Sequence, residues 1–524
     1  ILLRKKTMLN DLKLNKDPIK IKRALISVYD KTNIINLAKK LNSVGVEIIS
    51  TGGTSESLMK SNIPVTELDN FTGFPEILDG RVKTLNPLVA GGVLALRDVH
   101  HTEAKEHNIK FIDLVICNLY PFAKTISQDD CTLSQALENI DIGGPTMIRS
   151  AAKNLGWVCV IVDPNDYTDL VDCIDNNSEV SYDFRLAMAC KAFATTSQYE
   201  TMINNYLNTE TFPDQMDLTY KKYSDLRYGE NPQQKASVYK NEQVSTGILN
   251  STIHQGKELS YNNIMDADAA VSCVVEFDKP ACTIIKHANP CGVAISENIN
   301  DAFNKALAAD RLSSFGGVIV LNRECTEEIA LELSDFFIEI IIAPSFSSKA
   351  LDLFSNKKNL RVIEINNLKQ FKENITLRNI HGGLLVQEED NHILSLDQLK
   401  VVTNEGIETN TYESILFGWS VLKYVKSNAI LIVKDCATIG VGSGQVSRID
   451  SVDIAITKSK NNIDGSILLS DAFFPFRDSI EKIANTGIKT IIQPGGSIRD
   501  QDVIDTCNKY SLAMAFTGAR CFKH

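Results

Sequence analysis

Residues 24–61 read A-L-I-S-V-Y-D-K-T-N-I-I-N-L-A-K-K-L-N-S-V-G-V-E-I-I-S-T-G-G-T-S-E-S-L-M-K-S. Two short runs rich in β-branched residues, at 24–30 and 46–51, are each followed by a stretch with apolar residues at helical spacing. Strands and helices that alternate at this spacing are typical of a parallel sheet with helices on its faces. The stretch therefore predicts an α/β fold for this part of the chain.

The same pattern continues beyond this stretch. Apolar runs predict further strands at 91–96, 113–119 and 157–163, and helical spacing predicts a long helix over 183–207 that packs beside them. These elements define a first domain over residues 21–207.

A second α/β region follows a polar, proline-containing stretch at 208–222, which is the best candidate for a linker. We expect the second domain to occupy residues 223–524. No repeat of fixed period and no low-complexity tract is evident along the chain. The strands predicted in the second region are 283–286, 317–321, 338–344, 437–442, 467–470 and 489–494.

Composition narrows the classes of function. A chain of 524 residues predicts two or three domains. The formal net charge of −11 at pH 7 argues against a general nucleic-acid binder, because nothing offsets phosphate repulsion over an extended surface. An anionic small molecule would need a local basic pocket.

Cysteine usage and hydropathy indicate the compartment. The 12 cysteines include no C-x-x-C pair, which predicts reduced thiols in a cytoplasmic protein and no zinc site. No apolar run approaches the ~20 residues that a membrane span needs, so we expect no membrane association. Residues 1–20 are basic but lack the apolar core of a signal peptide, and we expect them to form a flexible leader.

The turn after the second predicted strand has the features of an anion site. Gly52 and Gly53 allow close approach to the backbone, and Thr51 and Thr54 offer hydroxyls beside the amides of the next helix. An ordinary capped strand-to-helix turn is at least as good an interpretation of these residues taken alone.

Basic and proton-transferring residues recur in the same domain. Arg81 and Lys83 fall on one side of an extended segment, and with Lys31, Arg149 and Lys153 they predict a basic pocket, although a single R-x-K is more often a solvated pair. Asp141 and Tyr120 supply a carboxylate and a phenol for proton transfer. The structural alternatives for these two residues are a helix cap and an aromatic at the edge of the core.

In the second region, the stretch T-I-I-K-H-A-N-P-C-G, residues 283–292, brings Lys286 and His287 together at the end of a predicted strand. Neighbouring strand residues point to opposite faces, so both side chains reach one site only if the chain bends, and we expect the bend at Asn289. Cys291 is a candidate nucleophile. A buried, inert thiol in a Pro-Cys-Gly turn is the preferred interpretation.

Several long motifs follow one another along the chain. They are S-T-G-G-T (50–54), G-R-V-K-T-L (80–85), C-N-L-Y-P-F (117–122), I-D-I-G-G-P-T-M-I-R-S-A-A-K-N (140–154), L-R-Y-G-E-N-P-Q-Q (226–234), I-K-H-A-N-P-C-G (285–292) and D-A-F-F-P-F-R-D (471–478). With the arginine-containing C-terminal tail, this series closely resembles the bifunctional purine biosynthesis proteins. That family joins phosphoribosylaminoimidazolecarboxamide (AICAR) formyltransferase to IMP cyclohydrolase, and the resemblance covers about residues 21–524.

The resemblance implies a fold and two reactions. The first domain would be a parallel-sheet α/β domain like methylglyoxal synthase, and the second would contain two α/β subdomains like cytidine deaminase. The reactions would be formyl transfer from 10-formyltetrahydrofolate to AICAR and dehydrative closure of formyl-AICAR to IMP. The family also implies a homodimer with formyltransferase sites at the subunit interface, and formyl transfer without a catalytic metal.

For formyl transfer, the resemblance assigns His287 as the base for the weakly nucleophilic amine, and histidine exchanges protons near neutral pH. Lys286 would be the cation for the developing oxyanion, with Asn428 as a further donor. The positions that match AICAR contacts are Arg227, Tyr228, Gly316, Glu339, Arg448, Phe473, Asp478 and Arg520. The positions that match folate contacts are Ile449, Gly495 and Gly496.

For ring closure, the resemblance assigns Lys153 as a proton shuttle, and we add Lys83, Tyr120 and Asp141 to the catalytic candidates. Because orientation alone gives effective molarities of ~10⁵ M or more, few catalytic groups are needed. The positions expected around the nucleotide are Tyr29, Asp30, Lys31, Thr51, Gly52, Gly53, Thr54, Arg81, Val82, Thr84, Cys117, Asn118 and Ile142.

The chain also departs from the family pattern. Asn86 and Ala90 stand where the family usually has histidines, Tyr29 stands where serine is common, and Cys521 replaces a usual histidine. Two alternatives to a bifunctional enzyme are therefore a protein active only in formyl transfer, with the first domain as a nucleotide-binding scaffold, and a first domain that senses phosphate ligands.

Overall fold

The computed structural model of the protein describes residues 13–128, 130–177, 179–242, 244–370, 375–459 and 462–524. The chain divides into two compact units, Ile1–Thr219 and Tyr220–His524. The division falls inside the predicted linker, where residues 208–220 belong to no helix or strand.

The predicted leader is only partly described, because residues 1–12 lie outside the described residues. Ile19 is 8% exposed and pairs with Val180 through two backbone hydrogen bonds of 3.0 and 2.8 Å. The first unit therefore begins before residue 21.

The first unit contains a wholly parallel five-stranded sheet. Its strands are β1 (Arg23–Val28), β2 (Glu47–Ser50), β3 (Thr66–Glu67), β4 (Leu114–Asn118) and β5 (Cys159–Ile161). Its helices are α1 (Ile34–Ser43), α2 (Gly52–Lys60), α3 (Leu68–Thr72), α4 (Pro87–Leu94), α5 (His101–Glu106), α6 (Phe122–Ile126), α7 (Leu133–Glu138), α8 (Gly143–Lys153), α9 (Tyr167–Asn177) and α10 (Tyr182–Leu207). The strand order is β3-β2-β1-β4-β5, and apolar side chains of the helices cover both faces of the sheet.

The strand predicted at 91–96 is wrong, because residues 87–94 form α4 instead. Pro87 occupies the first helical position, where its missing N–H is no loss, and the Asn86 side chain caps the helix by accepting from Leu88 N at 2.8 Å. Val89 and Val93, four residues apart, share the buried face. Asn86, a departure from the family pattern, thus has a structural role as a helix cap.

The second unit contains a 12-stranded mixed sheet and two separate two-stranded ribbons. Its strands are β6 (Lys221–Leu226), β7 (Ala236–Lys240), β8 (Thr252–Gln255), β9 (Ala281–Lys286), β10 (Asn289–Ile295), β11 (Val318–Leu321), β12 (Ile340–Ala343), β13 (Arg361–Glu364), β14 (Ile375–Ile380), β15 (Gly383–Glu388), β16 (Lys400–Val401), β17 (Ile430–Lys434), β18 (Ala437–Gly442), β19 (Ile467–Ser470), β20 (Thr490–Gln493) and β21 (Ala513–Phe516). Its helices are α11 (Tyr261–Val274), α12 (Ile299–Ala309), α13 (Arg311–Ser314), α14 (Glu327–Glu332), α15 (Ser348–Ser355), α16 (Tyr412–Leu422), α17 (Arg448–Ser459), α18 (Asp478–Ile483) and α19 (Asp500–Lys509).

The large sheet consists of two halves with the same arrangement, in agreement with the two α/β subdomains that the family resemblance implies, although no repeat of fixed period is evident in the sequence. One half has the order β10-β9-β11-β12-β13-β8, and the other has β18-β17-β19-β20-β21-β16. In each half the first two strands form an antiparallel hairpin. The hairpin lies antiparallel to a group of three parallel strands, and one further antiparallel strand forms the edge. The halves join where β10 and β18 pair antiparallel at Ala294 and Ala437.

Individual contacts repeat between the halves as well. A Cβ on Gly292 would lie 2.0 Å from the carbonyl oxygen of Ala306 in α12. A Cβ on Gly440 would lie 2.2 Å from the carbonyl oxygen of Ala455 in α17. In both halves glycine lets a helix approach the second hairpin strand closely.

Across the described residues, no helix is long and apolar enough to cross a membrane.

Candidate active sites

In the first unit, the predicted site residues gather at the carboxyl edge of the parallel sheet. Residues 29–31 follow β1, residues 51–54 follow β2, and Asn118 is the last residue of β4, with residues 119–120 after it. The carboxyl ends of adjacent parallel strands meet at one edge, where α/β folds bind ligands. The order β2-β1-β4 therefore brings these three turns side by side.

The Asn118 side chain ties two of these turns together. Its Oδ1 accepts from the backbone N–H groups of Tyr29 at 2.7 Å and Asp30 at 2.9 Å, and its Nδ2 donates to the Asp30 carbonyl at 3.0 Å. Thr54, almost fully buried, accepts from Val28 N and donates to Val28 O. These residues fix the turns.

Two lysines lie over the N-terminus of α2. A Cβ on Gly52, whose φ is +43°, would lie 3.1 Å from Lys83 Nζ, and a Cβ on Gly53 would lie 4.0 Å from Lys31 Nζ. Helix N-terminal amides and two ammonium groups together favour an anion such as phosphate. The glycines leave room for that anion at the backbone.

Carboxylates that the sequence analysis missed pair with the predicted cations. Glu76 forms an ion pair with Lys83, and Glu138 forms one with Arg81. Both pairs are partly or largely exposed, so their carboxylates can give way to an anionic ligand at modest cost. Glu76 lies seven residues before Lys83, whereas Glu138 ends α7, 57 residues after Arg81, so distance along the sequence alone does not identify these partners.

Asp141 lies just before α8, where its carboxylate accepts from the first helical amides, the structural alternative that the sequence left open. Its carboxylate accepts hydrogen bonds from the backbone N–H groups of Tyr120, Gly143 and Gly144, the last at 2.8 Å. Burial nevertheless raises the pKa of Asp141 above its usual value, because desolvation outweighs these donors. Cys117 lies behind it, and burial together with the Asp141 charge raises the pKa of that thiol far above its usual range.

Exposed side chains line the opening of this edge. Tyr120 is 53% exposed and stacks edge-on against Tyr29 with ring centroids 5.6 Å apart. Ile142 is 60% exposed beside Asp141. The Thr84 hydroxyl lies directly against Gly143 at the N-terminus of α8.

Lys153 does not join this group within one chain. It is the last residue of the 11-residue helix α8, so its Cα lies about 15 Å along the helix axis from Gly143. Arg149, on the same helix, stacks on Phe193 of α10 at 5.8 Å and lines a separate polar cavity of about 680 Å³. The structure therefore brings Lys31 and Lys83 together but not Lys153 with them.

In the second unit, Lys286 and His287 lie at a tight hairpin. β9 ends at Lys286 and β10 begins at Asn289, and the two turn residues His287 and Ala288 have φ of 52° and 54°. Two successive positive φ values are the geometry of two-residue hairpin loops. The predicted bend at Asn289 is therefore wrong, since the turn comes earlier and Asn289 is already in a strand.

Cys291 lies in β10 at a β-bulge, so the predicted Pro-Cys-Gly turn is also wrong. The thiol is partly buried, and desolvation together with the nearby Asp310 carboxylate raises its pKa to about 12. A thiol in this state is a poor nucleophile. The interpretation of Cys291 as an inert thiol is supported by its raised pKa in a strand bulge, rather than by burial in a turn.

Hydrogen bonds fix the hairpin turn. Lys286 Nζ donates to the Phe315 carbonyl at 2.7 Å, and Ala288 N donates to Asp266 Oδ1 on α11 at 2.7 Å. His287 is exposed, and its imidazole extends from the fixed turn.

The sheet places this turn at the carboxyl ends of the strands of the other half. β10 is antiparallel to β18, β18 to β17, and β17 to β19, so the start of β10 lies at the edge where β18–β21 end. Hydrogen bonds from Lys426 N to Asn289 Oδ1 at 3.2 Å and from Gly444 N to Lys426 O at 2.8 Å span this edge.

A cavity of about 720 Å³ opens at this edge. Eight predicted residues line it, together with aromatic and proline residues that the sequence analysis did not assign. The predicted lining residues are Asn428, Arg448, Ile449, Phe473, Asp478, Gly495, Gly496 and Arg520. The additional residues include Pro475, Phe476, Pro494 and Phe522, of which the first two belong to the recognisable D-A-F-F-P-F-R-D motif.

The Asn428 amide is fully engaged in hydrogen bonds. Its Nδ2 donates to the carbonyls of Gln445 at 2.8 Å and Val446 at 3.2 Å, and its Oδ1 accepts from Arg448 Nη2 at 2.9 Å. The N–H groups of the Asn428 amide are therefore already used in this structure. The predicted hydrogen bond from Asn428 to the oxyanion would require one of these bonds to break.

The other predicted AICAR contacts lie near the hairpin rather than in the cavity lining. Gly316 follows Phe315, the residue whose carbonyl accepts from Lys286. Glu339 forms an ion pair of 2.6 Å with Arg361, which was not predicted.

Arg227 stacks on Tyr228 at 4.7 Å in the loop after β6. In that loop, the carbonyl of Glu230 accepts from Asn262 at 3.2 Å, and Asn262 lies one helical turn before Asp266 on α11. The loop and the hairpin turn therefore contact the same end of α11.

No group of three His, Cys, Asp or Glu residues that could hold a metal ion occurs in the part of the chain that the structure describes.

Comparison with known proteins places the chain in context. The model of the AICARFT/IMPCHase bienzyme family matches residues 151–458, and that of the MGS-like domain matches residues 33–146. The bifunctional purine biosynthesis protein PurH of Acetivibrio thermocellus is 49% identical over 514 residues, which cover 96% of this chain and 100% of the relative. The same protein of Caldicellulosiruptor bescii is 48% identical over 512 residues, with coverage of 96% and 100%. The crystal structure of ForH matches 36% of this chain and 96% of its own at 34% identity, with a TM-score of 0.34.

Proposed function

The chain belongs to the bifunctional purine biosynthesis proteins, with AICAR formyltransferase and IMP cyclohydrolase activities, and we propose that the second unit holds the formyl-transfer site and the first unit the ring-closure site. The observation that carries this proposal is the meeting of the Lys286–His287 turn with the carboxyl ends of the other half of the sheet. That edge combines a base, a cation and a cavity of ligand size.

In formyl transfer, the amine of AICAR attacks the formyl carbon of a folate-type donor, which we propose is 10-formyltetrahydrofolate. His287 accepts the proton from the attacking nitrogen, and the bond from the formyl carbon to folate N10 breaks as N10 gains a proton. Lys286 stabilises the oxyanion of the tetrahedral intermediate with an N–H not used by Phe315. No metal takes part in the proposed step.

The cavity suits a folate. Phe473, Phe476 and Phe522 offer faces for an aromatic ring system, and Arg520 supplies positive charge. Gly495, at φ +74°, has no room for a Cβ because the Phe516 ring would lie 2.5 Å away. We therefore assign Gly495 and Gly496, with Ile449, to the folate, and Arg448, Asp478 and Arg520 to binding of the substrates.

In ring closure, the carboxamide nitrogen of formyl-AICAR adds to the formyl carbon and water leaves. The nucleotide phosphate binds at Gly52 and Gly53, where Lys31 and Lys83 neutralise its charge after Glu76 gives way. Because the reacting atoms belong to one molecule, orientation supplies much of the rate.

Tyr120 and Asp141 lie at this edge as the proton-transferring groups of the ring-closure proposal. Lys153 stays a prediction from the family resemblance, because it lies at the far end of α8. We further propose, on the same resemblance, a cytoplasmic homodimer with its formyltransferase sites at the subunit interface.

Two variants test the assignment of reactions to units. His287→Ala is expected to lose formyl transfer while converting added formyl-AICAR to IMP at the normal rate, and Lys83→Ala is expected to show the reverse. Each reaction is followed separately by absorbance, with a chelator present in a parallel sample to test the metal-free step. Loss of both reactions in either variant would contradict two independent sites, and a wild-type protein without ring closure would leave formyl transfer as its activity.

A further inference from the structure

A buried ion pair lies behind the cavity of the second unit. Asp471 is 0% exposed, and its Oδ1 accepts from Arg448 Nη1 at 2.6 Å. Arg448 is 8% exposed and also donates to Ser470 Oγ at 2.7 Å and to Asn428 Oδ1 at 2.9 Å. Asp471 is the first residue of the D-A-F-F-P-F-R-D motif, but the family resemblance assigned it no role.

The other half of the sheet has an uncharged residue at the equivalent position. Asp471 follows β19, and Asn322 follows β11. Asp471 Oδ2 accepts from Ala429 N at 3.1 Å, and Asn322 Oδ1 accepts from Ala281 N at 2.7 Å, at the start of each hairpin. The backbone N–H groups of Asp471 and Asn322 donate in turn to the carbonyls of the same two alanines, at 3.3 and 3.2 Å.

The fold requires hydrogen bonds at this position but does not require a charge. The backbone contacts that the fold requires at this position are made by a neutral amide in one half. A charged pair in a buried place gains little net stability, because desolvation offsets the attraction. The negative charge of Asp471 is therefore explained by the ion pair that holds the Arg448 guanidinium in place.

The pair holds two groups at the cavity wall. Arg448 fixes the Asn428 amide, whose Nδ2 anchors the loop at Gln445 and Val446. Asp471 Oδ2 also accepts from Ser427 Oγ at 2.5 Å.

The same carboxylate is linked to the C-terminal tail. Ser427 Oγ accepts from Lys523 N at 3.2 Å, and the Asp471 carbonyl accepts from Cys521 N at 3.1 Å. Arg520 directly precedes Cys521 in this tail, and it lines the cavity. Cys521 itself is buried, so its place in the tail is structural.

We infer that Asp471 is a positioning residue for formyl transfer, which orients the Arg448 guanidinium towards the substrate through a buried charge pair that the fold alone does not require. This inference rests on the proposed location of the formyl-transfer site in the second unit.

The first test compares two substitutions with opposite properties. Asp471→Asn keeps the shape and removes the charge, and Asn322 indicates that the fold accepts it. Asp471→Glu keeps the charge but is larger than its site. We expect kcat/KM for AICAR to fall by about 10- to 100-fold in Asp471→Asn, as for loss of a hydrogen bond to a charged group, and less in Asp471→Glu. A packing role would reverse this order, and the reversed order would overturn the inference.

The second test is a double-mutant cycle with Arg448→Gln. If Asp471 acts through Arg448, the double variant loses no more formyl transfer than Arg448→Gln alone, whereas independent roles multiply. Multiplied losses, or full activity in Asp471→Asn, would overturn the inference.

Two controls accompany both tests. Ring closure by the first unit, measured in the same samples, is expected to be unchanged. Glu276→Gln removes a carboxylate from another buried pair of this unit, with Lys423 at 3.1 Å, and is expected to lower the unfolding temperature without changing KM for AICAR. The His287→Ala variant distinguishes the two proposals. Full formyl transfer in His287→Ala would reject the proposed site. Full formyl transfer in Asp471→Asn alone would reject only the role of Asp471.

Discussion

The second unit makes the same hairpin turn twice, and the first of the two turns carries the proposed base. His287 and Ala288 have φ of 52° and 54°, and Asp435 and Cys436 have φ of 48° and 56°. In each half, the first hairpin strand ends in a lysine, which directly precedes the two turn residues. The sequences differ at the exposed turn position, which is histidine in one half and aspartate in the other.

The lysines have the same contact in both halves. Lys286 Nζ donates to Phe315 O at 2.7 Å, and Lys434 Nζ donates to Asp464 O at 2.8 Å. The lysine contact is therefore part of the hairpin in both halves, whereas the histidine occurs at one turn alone and is assigned to the proposed formyl-transfer site. Lys286 therefore combines a structural contact with its proposed role, and the two contributions can be separated by experiment.

Exchange of the turn residue is expected to have the largest effect. His287→Asp makes the first turn like the second, and formyl transfer should fall by about 10²- to 10⁴-fold because the general base is lost. Aspartate tolerates a positive φ, so the unfolding temperature should change little. The matched control is Asp435→His, which should leave formyl transfer unchanged; an equal loss there would show that the two turns are not functionally distinct.

Removal of each lysine separates its two contributions. Lys286→Met should lower kcat for formyl transfer by about 10²- to 10³-fold, as for loss of one oxyanion donor. Lys434→Met should leave kcat unchanged. Calorimetry of the second unit should show a similar loss of about 0.5–1.5 kcal/mol for both variants, since each removes one hydrogen bond. Equal kinetic effects would remove Lys286 from the proposed mechanism.

Glycine at the second turn residue should stabilise both hairpins. Alanine and cysteine are strained at positive φ by roughly 1–2 kcal/mol, and glycine is not. Ala288→Gly and Cys436→Gly should therefore each raise the unfolding temperature of the second unit. A rise at one turn and a fall at the other would contradict their structural equivalence.

Substitution of Cys291 is expected to have the smallest effect. This residue occupies the bulge of β10, and Ile439 occupies the bulge of β18, so the position needs an apolar side chain. Cys291→Val should leave formyl transfer unchanged. Because the pKa of the thiol is raised to about 12, the thiolate is scarce at pH 8, and native protein should resist alkylation at this residue until the pH is much higher.

Much of the local structure was predictable from the sequence. The strands predicted at 24–30, 46–51 and 283–286 and the helix predicted at 183–207 correspond to β1, β2, β9 and α10, although β1 and β2 end before the predicted limits. The error at 91–96 arose because a short apolar run does not distinguish a buried strand from a buried helix, and the cap at Asn86 decided the outcome.

The two-subdomain arrangement was expected from the family resemblance, because the sequence itself carries only a weak signal of the repeat. The pattern K-x-x-x-x-x-G-V occurs at Lys286 and again at Lys434. Its glycine is required by the close approach of a helix, and the intervening residues have diverged. Three matching residues in so short a pattern carry too little information to identify a repeat without the sheet.

Periodicity and motif residues are local properties, so most strands and helices and the family were predictable from the amino-acid sequence. The contacts between residues far apart in the chain depend on how the strands pair. Antiparallel pairing of β10 with β18 brings the Lys286–His287 turn to the strand ends of the other half, and the same arrangement buries Asp471 against Arg448. These contacts join residues far apart in the chain, and the physical reason that sequence reasoning cannot place them is that long-range strand pairing, rather than local periodicity, sets the edge at which the site forms.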